Sequence, residues 1–156
     1  MGEAAIHLWS YLKPIRGLEG LHFCATLRGG SKLLATLESI LERPDFGSRR
    51  VHLEPIPDKA LGRVASRHSG VVHRDELLIT PAEATELQDF DDAAELRATR
   101  EDLAMFIKAV QASRRGIGDF TLFDGAMWVW WGYSLVDGKL CTPKPDFEDP
   151  APFDEP

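Results

Sequence analysis

The 156-residue chain is poor in cysteine, methionine and tyrosine, with two, three and two of each, and it has no long apolar run. Its longest uninterrupted apolar stretches are a few residues, such as Met127 to Trp131. A helix needs roughly 20 to cross a bilayer, so neither a membrane span nor a membrane partner is expected. Cys24 and Cys141 form neither a close-spaced metal pair nor a disulfide framework. Met1 to Leu12 lacks the basic start, apolar centre and cleavage site of a secretory leader. Ile6 stands where a myristoylation signal wants Ser or Thr. A cytoplasmic protein in a reducing compartment is the expectation.

Catalytic and nucleotide motifs are missing as well. The run Arg28-Gly29-Gly30-Ser31-Lys32 has neither the spacing of a phosphate loop nor that of a dinucleotide turn. His73-Arg74-Asp75 repeats three letters of the kinase catalytic loop, without the Asn five residues later, the glycine loop or the Asp-Phe-Gly. His68 and His73 are spaced as no common metal motif is. On these grounds no catalytic residue, metal ligand or cofactor is assigned.

What the chain does carry is an ordinary globular composition, 44% hydrophobic and 28% charged, with a net charge of −7 placed unevenly. Arg43 to Arg74 holds seven basic against three acidic residues, a balance of +4. Glu83 to Asp102 reverses this with eight acidic residues against Arg97 and Arg100, a balance of −6. Thr142 to Pro156 adds five prolines and a balance of −4 in fifteen positions. That composition cannot bury enough surface to offset ordering, so a flexible tail over 142–156 is expected behind one globular domain over 1–141. Without a sustained positive footprint, nucleic acid is not an expected partner.

Apolar spacing predicts strands over Ile6 to Leu12, Leu21 to Leu27, Val51 to Ile56 and Val71 to Ile79. Ser31 is the expected N-cap of a helix carrying Leu33, Leu34, Leu37, Ile40 and Leu41, which Pro44 ends. A short helix is expected over Asp58 to Arg67, closed by Gly70. Thr80, Pro81 and Glu83 spell a helix start, and Asp89 to Arg97 reads as a broken helix or a loop. Thr99 and Asp102 form a capping box before Leu103, Phe106, Ile107 and Val110, with Gly116 past the helix end. Asp124-Gly125-Ala126 joins a hairpin whose second strand puts Met127, Val129, Trp131 and Tyr133 on one face, Trp128 and Trp130 on the other. The expected fold class is α+β: a mainly antiparallel sheet packed with three or more helices.

Three candidate sites follow. Gly29, Gly30 and Ser31, between a strand and a helix, could hold an anion on free helix N–H groups, or could simply be a turn and a cap. His22 and Cys24 share a strand face and could pair as base and thiol, or be buried packing residues. The acidic residues Glu83, Glu86, Asp89, Asp91, Asp92 and Glu95, with Trp128 and Trp130 as aromatic anchors, could dock a basic protein. Alternatively, the charges are a solvated face and the tryptophans are core. The leading expectation is a non-catalytic inhibitor of the immunity-protein or antitoxin type, acting on a basic protein partner. The alternative is a small Cys/His-dependent enzyme or an anion-binding domain.

Overall fold

The computed structural model describes residues 4–13, 18–61, 70–118 and 120–144. In chain order these form β1 (Ile6–Tyr11), β2 (Leu21–Ala25), α1 (Leu27–Glu42), a 3-10 turn (Pro44–Phe46), β3 (Arg49–His52) and α2 (Asp58–Leu61). There follow β4 (Val71–His73), β5 (Glu76–Pro81), β6 (Glu86–Asp89), β7 (Ala93–Ala98) and α3 (Arg100–Arg114). The chain then gives β8 (Phe120–Leu122), β9 (Met127–Val129), β10 (Ser134–Val136) and β11 (Lys139–Cys141). Strand orders are β4-β1-β2-β9-β8, β3-β5-β7-β6 and β10-β11.

The fold differs from the expected mainly antiparallel sheet with three or more helices. Among the described residues there are three sheets, and both large ones are mixed, with β2 parallel to β9 and β5 parallel to β7. Among the described residues only α1 and α3 are long helices; α2 is four residues. Sequence periodicity shows which residues lie on a buried face, but strand direction depends on partners far away along the chain.

Helix α1 runs antiparallel to α3. The Arg114 Nε donates to the Leu27 carbonyl at one end, and the Arg100 Nη1 donates to the Leu41 carbonyl at the other. Both helices pack against the two large sheets. Leu8, Phe23 and Val129 of the first sheet and Leu77, Ile79 and Leu96 of the second share one core with Leu37, Ile40, Leu103 and Phe106. The Phe23 and Phe106 rings meet edge to face at 5.7 Å. At α3 the expected cap holds: the Thr99 hydroxyl accepts from the Asp102 N–H, and Gly116 follows the helix at positive φ.

Two local expectations fail for tertiary reasons. The supposed helix start at Thr80 is the end of β5. The Thr80 hydroxyl pairs with the Ser48 hydroxyl at 2.7 Å, and Pro81 lies opposite Ala98 at the strand end, where a missing N–H is tolerated. Likewise Asp89 to Arg97 is a hairpin of β6 and β7, with Asp91 at positive φ in its turn. The Val71 to Ile79 run divides at Arg74 and Asp75 into strands of two different sheets.

The β8–β9 hairpin forms where expected, but β9 stops at Val129. Past it Trp130 and Tyr133 still donate to the Phe23 and Ala25 carbonyls of β2, but between them Gly132 donates its N–H to the Ser113 carbonyl instead. The alternation is lost, so Trp131 ends 44% exposed instead of joining Met127 and Val129 in the core. A further hairpin, β10–β11, closes at Asp137 and Gly138, both at positive φ. Asp-Gly is the residue pair such a turn favours. The expected helix beyond Leu61 and the tail beyond Lys144 lie outside the described residues.

Candidate functional site

Pleating of the five-stranded sheet separates two faces. Ile6, Leu8, Leu21, Phe23, Met127 and Val129 point toward the helices. His7, Trp9, Tyr11, His22, Cys24 and Trp128 therefore point the other way. This outer face is also covered: Trp9, Tyr11, Cys24 and Tyr133 pack against Ile56 and Leu61, with Leu135 beside them. Trp128 and Trp130 are half-buried.

An aromatic array organises this face. His22 is fully buried, its ring 5.7 Å from Trp9 and 5.9 Å from Trp130, within 24° and 11° of parallel. Trp128 and Trp130 lie 5.6 Å apart at 13°. The Trp130 indole N–H donates to His22 Nδ1 at 3.0 Å, while His22 Nε2 meets the Leu18 carbonyl at 2.9 Å. A carbonyl can only accept and an indole N–H can only donate. His22 is thus the neutral tautomer with its proton on Nε2. The Glu54 carbonyl likewise can only accept, so His7 donates to it from Nδ1 (2.7 Å), and His7 Nε2 lies 2.6 Å from the Tyr133 hydroxyl.

These bonds bear on the base-and-thiol reading. The Cys24 thiol donates to the Trp131 carbonyl at 2.9 Å, and burial pushes its pKa up to about 12. With that thiol and both His22 nitrogens committed elsewhere, the geometry offers no activated nucleophile at this pair. Among the described residues no group of three His, Cys, Asp or Glu side chains is placed to hold a metal ion.

Beneath the array lies a cavity of about 330 Å³, bordered by Trp9, Tyr11, Cys24, Trp130 and Tyr133 with Ile56. Leu18, Ala60, Leu61 and Trp131 complete its sides, and Leu140 and Thr142 reach it from the β11 end. Burial raises the Tyr11 phenol above its ordinary pKa. Sequence reasoning missed Trp9, Tyr11 and Tyr133. The alternation of His7, Trp9 and Tyr11 along β1 was the available signal for the first two.

The glycine turn does not form as expected. Strand β2 ends at Ala25 and Thr26 is the N-cap, its hydroxyl accepting from the Gly29 N–H at 2.9 Å. Gly29 and Gly30 are buried inside the first turns of α1, and the exposed Ser31 hydroxyl donates to the Leu27 carbonyl. The Leu27 N–H is taken by the Tyr133 carbonyl at 2.8 Å. The amides an anion would need at Gly29 and Leu27 are thus engaged.

The acidic residues gather on and around the β6–β7 hairpin, but not as one uniform patch. Asp89 forms a two-pronged ion pair with Arg74, from Nε at 2.7 Å and Nη2 at 2.6 Å. Those hydrogen bonds hold the Asp89 carboxyl below the usual carboxylate range, against partial burial. Glu95 is half-buried and paired with Arg97 at 2.7 Å. Across the strands Arg97 faces Glu86. Glu83, Asp91 and Asp92 are exposed, and Phe90 at the hairpin tip is 53% exposed among them. Strand β6 is an edge of its sheet. No family model, curated protein or solved structure matches the chain.

Proposed function

We propose that the protein is a non-catalytic binding domain that docks a basic protein through the β6–β7 hairpin, in the manner of an immunity protein or antitoxin covering a cationic active site. The observation that carries this reading is Phe90, a large apolar side chain held in solvent at the end of an edge strand, with Asp91 and Asp92 next to it. An exposed aromatic ringed by charge of one sign combines the two elements of a steered interface. The charge accelerates encounter, and the ring gains affinity when desolvated. Of the expected surface, Glu83, Glu86, Asp91 and Asp92 serve this role. Asp89 and Glu95 are paired with Arg74 and Arg97, and Trp128 and Trp130 serve the aromatic array instead.

The test is affinity selection with the wild type beside the triple variant Phe90→Ala, Asp91→Lys, Asp92→Lys. A basic protein retained by the wild type and released by the variant is expected. Its association rate with the wild type should fall steeply between low and physiological salt. Equal retention by both forms, or a rate indifferent to salt, would overturn the reading.

A further inference from the structure

We infer that the cavity under the aromatic array is a binding site for a neutral, two-ring aromatic molecule, a role separate from that of the acidic hairpin. Size is the first argument. An apolar protein cavity of roughly 150 Å³ takes up benzene, so the 330 Å³ here suits about two fused rings. The volume also falls at the lower end of the range for small-molecule sites, roughly 300–1,000 Å³.

Charge is the second argument. None of the described residues bordering the cavity is ionised at neutral pH: Cys24 is held as the thiol, and the others are aromatic, aliphatic or hydroxylic. Transferring an anion or cation into such surroundings is heavily disfavoured without a partner charge. The third argument is wall chemistry. Trp9, Tyr11, Trp130 and Tyr133 line the cavity, and ring-on-ring contacts favour aromatic guests over aliphatic ones of equal volume.

The site is also held open in advance. Trp9 and Cys24 sit on the two adjacent strands β1 and β2. The Trp130 indole is pinned by His22, which is pinned in turn by the Leu18 carbonyl. Little ordering is left to be done on binding, which is where pre-formed sites gain affinity. At the mouth Trp131 and Leu140 are 44% and 42% exposed, giving an apolar entrance, and the exposed Thr142 hydroxyl can receive one polar substituent of the guest.

Titration of the full chain with 2-naphthol, followed by calorimetry and by ligand-observed NMR, tests this. Saturable one-to-one binding is expected, with a Kd on the order of 10–100 μM for a guest of this size. The two-ring anion 2-naphthoate and the single-ring phenol should each bind at least tenfold more weakly. Ala60→Phe, which fills the cavity, should abolish binding, and Leu140→Asp at the exposed mouth should weaken it severalfold without touching the fold, as far-UV circular dichroism would show. Absence of 2-naphthol binding at 1 mM (roughly ten times the weakest expected Kd), binding unchanged in Leu140→Asp, or 2-naphthoate binding as tightly as 2-naphthol would each overturn the assignment.

Discussion

Arg74 is 3% exposed, and every nitrogen of its guanidinium is engaged: Nε and Nη2 with Asp89, Nη1 with the Val72 carbonyl, and Nη2 also with the Ser10 hydroxyl. A buried cation so placed costs most when its counter-charge is removed. Asp89→Asn is therefore expected to destabilise the fold by about 1–2 kcal/mol at neutral pH, a figure discounted because the Asp89 side chain is 41% exposed. The sign with pH follows from the depressed carboxyl. Its stabilising contribution is complete above the unfolded-state value near 4 and is lost as pH falls through the lower folded value. Urea midpoints of both forms should differ at pH 7 and converge in acid; a difference that does not shrink there would refute the ion-pair account. The same contacts explain the His73-Arg74-Asp75 run. Its arginine locks the end of the hairpin, and its histidine, pushed down in pKa chiefly by burial, is an edge-strand residue paired with Trp9.

Among the elements, α1 shows how a close backbone approach decides a helix start. The Thr26 N–H donates to the Ala5 carbonyl and the Ala5 N–H to the Thr26 hydroxyl, both at 2.9 Å, tying the helix to the residue before β1. A Cβ added at Gly29 would lie 2.0 Å from the Ala5 carbonyl oxygen, which is backbone and cannot swing aside. Gly29→Ala should cost more than about 3 kcal/mol, whereas Ser31→Ala on the exposed face should change stability by less than about 0.5 kcal/mol. Chemical denaturation of the two variants measures this. A mild Gly29→Ala would mean that the first turn of α1 can shift. This element also shows the limit of sequence reading. Ser31 and Thr26 are both good caps, and choosing between them requires knowing that Ala5 and Tyr133 supply partners for the residues around Thr26. The α3 start at Thr99 was legible because its cap is satisfied within three residues. The Thr80 start misled because the competing partner, Ser48, is 32 residues away.

Across the whole molecule, one core joins both large sheets through α1 and α3, and an aromatic cluster occupies the outer face of the five-stranded sheet. Since β1 and β2 contribute side chains to both clusters, neither can be lost alone without giving up the strands they share. Urea unfolding followed by far-UV circular dichroism and by tryptophan fluorescence should give coincident transitions, because Trp9, Trp128 and Trp130 report on the outer cluster. An earlier fluorescence transition would show that the aromatic face opens independently and would weaken the case for a pre-formed cavity.

By itself, the sequence determined which residues share a face of β2 and of β9, the body and cap of α3, the β8–β9 hairpin and the reversal of charge along the chain. Each of these is written in residue periodicity or in hydrogen bonds closed over a few positions. Only the tertiary structure decided that β5 pairs parallel with β7, that Trp131 turns out to solvent, and that Arg74 and Arg97 neutralise two of the acid residues. It alone assembled the cavity, whose walls come from β1, β2, α2, the end of β9 and the β10–β11 hairpin. The physical reason is range: local hydrogen bonds and side-chain alternation act over a few residues, whereas strand direction, burial of a second face and the pairing of charges depend on groups brought together from distant parts of the chain.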